Sequence, residues 1–163
     1  MEAQYESKKP YEVQLNWLEG SKGILTSWAV YGSIKVDAGL PENQALHGFW
    51  TPEHLLLSSL ASGFMARFVE LSRQASLAFS HMECQAVGTL VCTGDPQDLP
   101  RIDLYAEIYL ERDADCDTGL ELLEQTQASC TILHCLKARV VFHPAARLDR
   151  HPKMRWEDRV RKP

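Results

Sequence analysis

The sequence predicts an α+β fold in which mainly antiparallel sheet packs against one long, buried helix. Strand-like runs rich in Val, Ile, Trp and Tyr fill residues 1–36, and a long apolar segment follows from residue 51. Alternating strands, a second helical region and a last strand complete the chain. This order of elements is typical of α+β proteins rather than of repeated βαβ units.

The first part of the chain predicts strands connected by short turns. The runs "YEVQLNWL" and "ILTSWAVYGSIKV" carry β-branched and aromatic residues, and "EGSKG" between them has the composition of a turn. The segment "DAGLPENQALHGFW" follows with Gly and Pro at turn positions, which predicts a loop.

The long helix is predicted to begin at Thr51. Thr51 suits the N-cap, Pro52 the first helical position, and Glu53 places negative charge at the positive end of the helix dipole. Five apolar residues recur at helical spacing and form one stripe: Leu57, Ala61, Phe64, Phe68 and Leu71. Further apolar residues fill much of the remaining surface: Leu55, Leu56, Leu60, Met65 and Val69. A short chain can hardly cover such a helix alone, so a partner subunit is expected.

Gly63 is unexpected in this helix, because glycine in a helix interior lowers helix stability by about 0.8–1 kcal/mol relative to alanine. Two structural explanations are open. The small residues Ala61, Ser62 and Gly63 could permit a close helix crossing, or Gly63 could open space for a ligand.

The second half predicts a hairpin, a helical region and a closing strand. "HMECQAVGTLVC" and "RIDLYAEIYLER" alternate between apolar and polar residues and are joined by the loop "TGDPQDLP". The residues expected to face inward are Met82, Cys84, Ala86, Leu90, Cys92, Ile102, Leu104, Ala106, Ile108 and Leu110. "CDTGLELLEQTQASCTILHCL" is predicted to be helical, in one or two pieces, and "KARVVFHP" to be a strand that stops at Pro144.

Composition narrows the classes of protein to consider. The chain of 163 residues and 18.5 kDa is expected to form one domain over residues 1–146, with a basic tail over residues 147–163. A net charge of −5 gives no general reason to expect nucleic-acid binding. No signal-peptide core and no uninterrupted apolar span are present, which predicts a cytoplasmic protein without membrane association. Neither C-x-x-C nor H-x-x-x-H occurs, so no metal or other cofactor is predicted.

The five cysteines are predicted to be free thiols in a reducing compartment. Cys84 and Cys92 lie on an apolar strand face and are expected to pack as small hydrophobic residues. Acidic neighbours should raise the pKa of Cys116. Cys130 follows a polar break and could begin a short helix whose dipole stabilises a thiolate, with His134 on the same face. A purely structural role for Cys130 stays open.

Three blocks in order give the chain a resemblance to the OsmC/Ohr family, the osmotically inducible and organic hydroperoxide resistance proteins. They are "GFWTPEHLLLSSLASGF", "FSHMECQAVGTL" and "ASCTILHCLKARVVF". The resemblance implies an OsmC-like fold and an intertwined homodimer with active sites at the subunit interface. It also implies a stress-response enzyme that reduces organic hydroperoxides with two cysteines and is regenerated by an external dithiol.

Carried over by position, the resemblance makes Cys130 the resolving cysteine and Glu53 the glutamate of the site. The peroxidatic position falls on Gly63, which has no thiol. An arginine is expected in the turn "EGSKG", where Lys22 is the only basic residue nearby. Peroxidase activity should therefore be impaired. Glu53 and Gly63 are about 15 Å apart along a continuous helix, so a neighbouring subunit or a helix break would have to bring Glu53 to the site.

Three functions are compatible with this pattern. The first is residual hydroperoxide reduction by Cys130 alone, with an external thiol as reductant. The second is a non-catalytic homodimer that binds a small apolar ligand in the interface pocket. The third is an interaction role without a ligand.

Overall fold

A computed structural model describes residues 11–37, 48–89 and 101–150. The chain divides into two compact units, residues 1–55 and residues 56–163, and each unit is described by itself below. The predicted inward positions Leu90 and Cys92, the loop "TGDPQDLP" and most of the basic tail lie outside the described residues.

The first unit contains a three-stranded antiparallel sheet in the order β1-β2-β3. Its strands are β1 (Gln14–Glu19), β2 (Lys22–Ser27) and β3 (Val30–Asp37). The turn predicted at "EGSKG" is confirmed, and Gly20 there has a φ of +53°, which favours glycine. A second turn at Trp28–Ala29 divides the long predicted strand run into β2 and β3. Neither residue is a typical turn former, which is why this turn was not predicted.

One face of this sheet is apolar and exposed. Leu15 pairs with Leu25, and Leu25 pairs with Ile34, so the three side chains are cross-strand neighbours on that face. Leu15 is 60% exposed, and Trp17, two residues further along β1, is 71% exposed. Full burial of a large apolar side chain is favourable by about 1.5–3 kcal/mol of free energy. This face is therefore suited to packing against another apolar surface.

Helix α1 (Pro52–Gln74) begins as predicted. The backbone N–H of His54 donates to Thr51 Oγ1 at 3.4 Å, which identifies Thr51 as the capping residue. The helix runs without a break, which excludes a break near its start as the means of moving Glu53. By length and composition α1 could cross a membrane, but a buried core helix has the same properties.

The buried face of α1 lies within the second unit. Its fully buried apolar side chains are Leu60, Phe64 and Phe68. The rings of Phe64 and Phe142 lie 5.3 Å apart, and those of Phe68 and Phe79 lie 5.2 Å apart. Met65, in contrast, is 47% exposed. The buried stripe agrees with the predicted one at Phe64 and Phe68, and Leu57 and Leu71 of that stripe are partly buried against the core.

The second sheet has the order β4-β5-β6. β4 (His81–Thr89) and β5 (Arg101–Leu110) are antiparallel, which confirms the predicted hairpin pairing. The five inward positions predicted on β5 are all completely buried: Ile102, Leu104, Ala106, Ile108 and Leu110. This strand therefore supplies the centre of the hydrophobic core of the unit.

The last strand differs from the prediction in length and direction. β6 (Arg139–Leu148) continues through Pro144 and pairs with β5 in parallel, so the prediction that Pro144 ends the strand is wrong. β6 is an edge strand, where a residue without an N–H can face away from the ladder. The parallel pairing follows from the helical crossover that connects the two strands.

The crossover contains α2 (Cys116–Ser129) and α3 (Thr131–Cys135), the two pieces that the sequence allowed. The other strand pairings are antiparallel, as predicted. A single domain over residues 1–146 with a tail from residue 147 stays a prediction, although β6 itself extends to Leu148.

Candidate functional site

The candidate site lies where α3 passes over the middle of α1. A Cβ atom placed on Gly63 would lie 2.6 Å from Cγ1 of Ile132 and 3.2 Å from its Cβ. Both distances are shorter than ordinary carbon contacts, for which about 3.5–4.0 Å is optimal. A side chain at position 63 would therefore force the Ile132 side chain to shift, and glycine avoids this conflict.

Cys130 lies one residue before α3 and two residues from Ile132. Its backbone is extended, with φ −75° and ψ 112°, so it is the N-cap of α3 rather than part of its first turn. Only 1% of the residue is exposed, and it belongs to the hydrophobic core. The structure therefore brings Cys130 and Gly63 to the same helix junction, but it gives Cys130 little access to solvent.

The two hydrogen bonds that His134 donates go to backbone carbonyls rather than to the Cys130 thiol. Its Nε2 donates to the backbone carbonyl of Ala128 at 2.9 Å. Its backbone N–H donates to the carbonyl of Cys130 at 3.3 Å. These two bonds join α3 to the end of α2, so His134 has a structural role at the junction.

Arg67 also lies at this junction and was not among the predicted site residues. Its Nε donates to Ser129 Oγ at 2.9 Å, and Ser129 precedes Cys130. Its Nη1 also forms an ion pair with Glu70 at 2.7 Å. The only sequence signal was its position one helical turn after Gly63.

Cys84, on the core side of β4, packs against the same hydrophobic cluster that contains Cys130. Cys116 packs against this core as well. Burial, with a smaller contribution from Cys130, raises the pKa of Cys84 to about 11. The pKa of Cys116 is raised by burial and by Asp113, Asp117 and Asp115, so the predicted direction is confirmed.

Glu53 and Lys22 lie in the first unit and already have partners there. The pKa of Glu53 is lowered, chiefly by a hydrogen bond from the Thr51 hydroxyl, so its carboxylate helps to cap α1. Lys22 Nζ lies 3.5 Å from Glu19 and 5.9 Å from the centre of the Phe49 ring. Among residues 11–37, 48–89 and 101–150, no three His, Cys, Asp or Glu side chains are grouped to hold a metal ion.

Solved structures with the same arrangement of elements identify the fold. An OsmC-like protein of Vibrio cholerae superposes with a TM-score of 0.71 at 12% identity, over 83% of this chain and 99% of that one. The chain has the OsmC-like fold. An OsmC-like protein of Mycoplasma pneumoniae has this fold with a TM-score of 0.67 at 19% identity, over 86% of this chain and 98% of its own.

The OsmC-like fold also occurs in a Bacillus subtilis organic hydroperoxide resistance protein. That protein matches with a TM-score of 0.59 at 17% identity, over 85% of this chain and 98% of its own. No protein-family model and no curated protein sequence matches the chain. At these identities the similarity establishes the OsmC-like fold, and the residues of the site decide the chemistry.

Proposed function

We propose that this protein is a divergent OsmC/Ohr member whose organic hydroperoxide reduction is impaired, with Cys130 as its remaining nucleophile. The contact between Gly63 and Ile132 carries this proposal. The family resemblance assigns the peroxidatic thiol to position 63, where this chain has no thiol and where a side chain would displace Ile132. Cys130 is the residue left at that junction that can attack a peroxide.

The remaining reaction would be slow because Cys130 is buried. In it, the Cys130 sulfur attacks the outer oxygen of the hydroperoxide, the O–O bond breaks, and an alcohol and a sulfenic acid form. An external dithiol then reduces the sulfenic acid to the thiol with release of water. Since only 1% of Cys130 is exposed, the peroxide must wait for a local opening of the α2–α3 junction.

The proposal includes a homodimer. Two apolar surfaces support it: the exposed face of the β1-β2-β3 sheet and the uncovered side of α1, which includes Met65. Contiguous apolar surfaces of this kind are typical of subunit interfaces. Within such a dimer, the partner subunit would be the source of Glu53 for the site, because α1 is continuous between Glu53 and Gly63.

A second candidate function, ligand binding without turnover, is favoured by an apolar groove in the first unit. The groove has a volume of about 510 Å³, which is within the range of small-molecule sites. Apolar side chains form much of its wall: Val13, Leu25, Val30, Tyr31, Ile34 and Leu55. A small apolar molecule such as a fatty acid would fit the chemistry of this surface.

The experiment that tests the first proposal is consumption of cumene hydroperoxide with dihydrolipoamide as reductant. Wild type should turn over slowly, Cys130→Ala should abolish turnover, and Cys135→Ser, which changes an exposed thiol on the same short helix, should have no effect. The double substitution Gly63→Cys with Ile132→Ala restores a thiol and makes room for it, so its rate should exceed that of wild type. Equal rates for wild type and Cys130→Ala would exclude Cys130 as the nucleophile.

The alternative is tested by titration with cis-parinaric acid, a fluorescent fatty acid. If ligand binding is the function, wild type should bind it and Ile34→Asn should bind it at least tenfold more weakly. Lys35→Gln, on the neighbouring position of β3 and outside the groove lining, is the matched control. Binding that Ile34→Asn leaves unchanged would contradict this site.

A further inference from the structure

We propose that Arg67 controls the access of reactants to the Cys130 thiol by holding the α2–α3 junction against α1 through Ser129. The inference concerns the regulation of the site described above, and it rests on the proposed function for the reactant that enters. Because Arg67 acts through Ser129, its role is that of a positioning residue.

A polar contact joins α1 to the last residue of α2. Arg67 Nε donates to Ser129 Oγ at 2.9 Å, and Ser129 Oγ donates in turn to the backbone carbonyl of Gln125 at 2.7 Å. Ser129 is thereby held both to its own helix and to α1, directly before Cys130. The backbone at Cys130 is extended and leads into α3, so fixing Ser129 restricts the chain at the point where the two helices separate.

A second partner on α1 fixes the orientation of the Arg67 guanidinium. Its Nη1 lies 2.7 Å from Glu70 Oε2, one helical turn further along. The guanidinium therefore contacts Glu70 and Ser129 through two different nitrogen atoms, which its rigid planar fork permits. The Arg67 side chain is 30% exposed, so both contacts can break at the surface while the core stays folded.

The segment that Arg67 holds is short and lies near the surface. α3 has five residues, and within this fully described helix no residue is buried completely. Cys130 itself is 1% exposed, which makes it the deepest residue of the segment. A local opening of α3 would thus expose the thiol without unfolding the core formed by α1 and β5. The hydrogen bond between Arg67 and Ser129 opposes this opening.

The test is the rate at which iodoacetamide alkylates Cys130 in the full-length protein. Tandem mass spectrometry locates the label, because one tryptic peptide holds three of the cysteines. Arg67→Ala should raise the Cys130 rate about tenfold, which is the scale of one net hydrogen bond. Arg67→Lys, which keeps one donor but not the fork, should give an intermediate rate. Arg73→Ala removes an exposed arginine in the last turn of α1 and, as the matched control, should have no effect.

Two further readouts distinguish control of access from a general loss of stability. Global unfolding exposes Cys84 as well, so the rate for Cys84 should stay at its wild-type value in Arg67→Ala. Ser129→Ala removes the acceptor of the same bond, so the double variant should label Cys130 no faster than Arg67→Ala alone. An unchanged Cys130 rate in Arg67→Ala, an equal acceleration of Cys84, or additive effects in the double variant would overturn the proposal.

The direction of the change excludes a purely electrostatic role. Loss of a positive charge near a thiol disfavours the reactive thiolate and slows alkylation, so a faster reaction in Arg67→Ala reports access. A slower reaction of Cys130 in this variant would overturn the proposal.

Turnover of cumene hydroperoxide by the same variants tests the proposed function separately. If opening of the junction limits the reaction, Arg67→Ala should raise turnover by about the same factor as Cys130 labelling. Faster labelling in a protein that consumes no hydroperoxide would support the control of access by Arg67 and overturn hydroperoxide reduction by Cys130.

Discussion

At the scale of single residues, Gly63 has opposing effects on stability. As a helix-interior glycine it costs about 0.8–1 kcal/mol relative to alanine, but a Cβ atom at this position would lie 2.6 Å from Ile132 Cγ1. Overpacking of a core typically costs about 1–3 kcal/mol, so the steric effect should exceed the propensity gain. This balance explains why glycine, the least helix-favouring residue other than proline, occupies the middle of α1.

Gly63→Ala should therefore destabilise the protein by about 1 kcal/mol, the steric cost less the gain in helix propensity. Urea unfolding followed by circular dichroism measures the change. In an Ile132→Ala background the same substitution should instead be neutral or stabilising, because the contact is removed. Ser62→Ala, at the exposed neighbouring position, is the control and should change stability by less than about 0.5 kcal/mol. A stabilised Gly63→Ala in the wild-type background would contradict the contact.

The thiols should differ widely in their rates of alkylation. The pKa of Cys84 is raised to about 11 by burial and by Cys130, and only the thiolate reacts. Iodoacetamide at pH 8 should label the exposed Cys135 first and Cys84 far later, as followed by mass spectrometry of tryptic peptides. Below pH 11 the Cys84 rate should rise about tenfold per pH unit, because its thiolate fraction does. Labelling of Cys84 as fast as Cys135 at pH 8 would show that Cys84 is not held as a buried thiol.

At the scale of elements, the features that were predicted correctly depend on local sequence patterns, and the features that were missed depend on long-range contacts. The alternation on β5, the cap at Thr51 and the two-piece helical region are local features, and all were predicted correctly. The continuation of β6 through Pro144 depends on its position at a sheet edge, and the role of Gly63 depends on Ile132, which is distant in sequence. No periodicity in a single sequence encodes either relation.

The edge strand β6 is held to β5 by a polar cluster on the outer face of the sheet. The Asp103 carboxylate accepts two hydrogen bonds from Arg101, at 2.8 and 2.9 Å, and one from His143 Nε2 at 2.9 Å. The ring of His143 stacks on Tyr105 at 4.4 Å between centroids. Hydrogen bonds from Arg101, and then from His143, lower the pKa of Asp103 to about 2.

This cluster predicts acid sensitivity at the β5–β6 edge. Because the Asp103 pKa is lower in the folded chain than its ordinary value of 3.8, the unfolded chain binds the proton more tightly. The stabilisation is present above pH 4 and is lost as the pH falls toward 2. At pH 7, Asp103→Asn should unfold at a lower urea concentration than wild type. Near pH 2.5 the urea midpoints of the two proteins should approach each other. Glu111→Gln changes an exposed carboxylate after β5 and is the control. If the urea midpoint of Asp103→Asn lies below that of wild type by the same amount at every pH, the mechanism is contradicted.

At the scale of the whole molecule, apolar residues are left exposed on both described units. Trp17 is 71% exposed in the first unit, and Met65 is 47% exposed in the second. Both residues lie on regular elements, β1 and α1, whose other apolar side chains are arranged in rows. Such surfaces favour association with a second copy of the chain, which the proposed homodimer would provide.

The homodimer predicts a molar mass of twice the 18.5 kDa chain mass by light scattering on a sizing column. Met65→Glu should shift the protein toward the monomer and raise the dissociation constant at least tenfold, because a charge would enter an apolar interface and tenfold corresponds to about 1.4 kcal/mol. Gln74→Glu adds the same charge at an exposed position in the last turn of α1 and is the matched control. If wild type elutes as a monomer, or if both variants dissociate equally, the open side of α1 is not the subunit interface. In that case Glu53 could not reach the junction at Gly63 from a partner subunit through this interface.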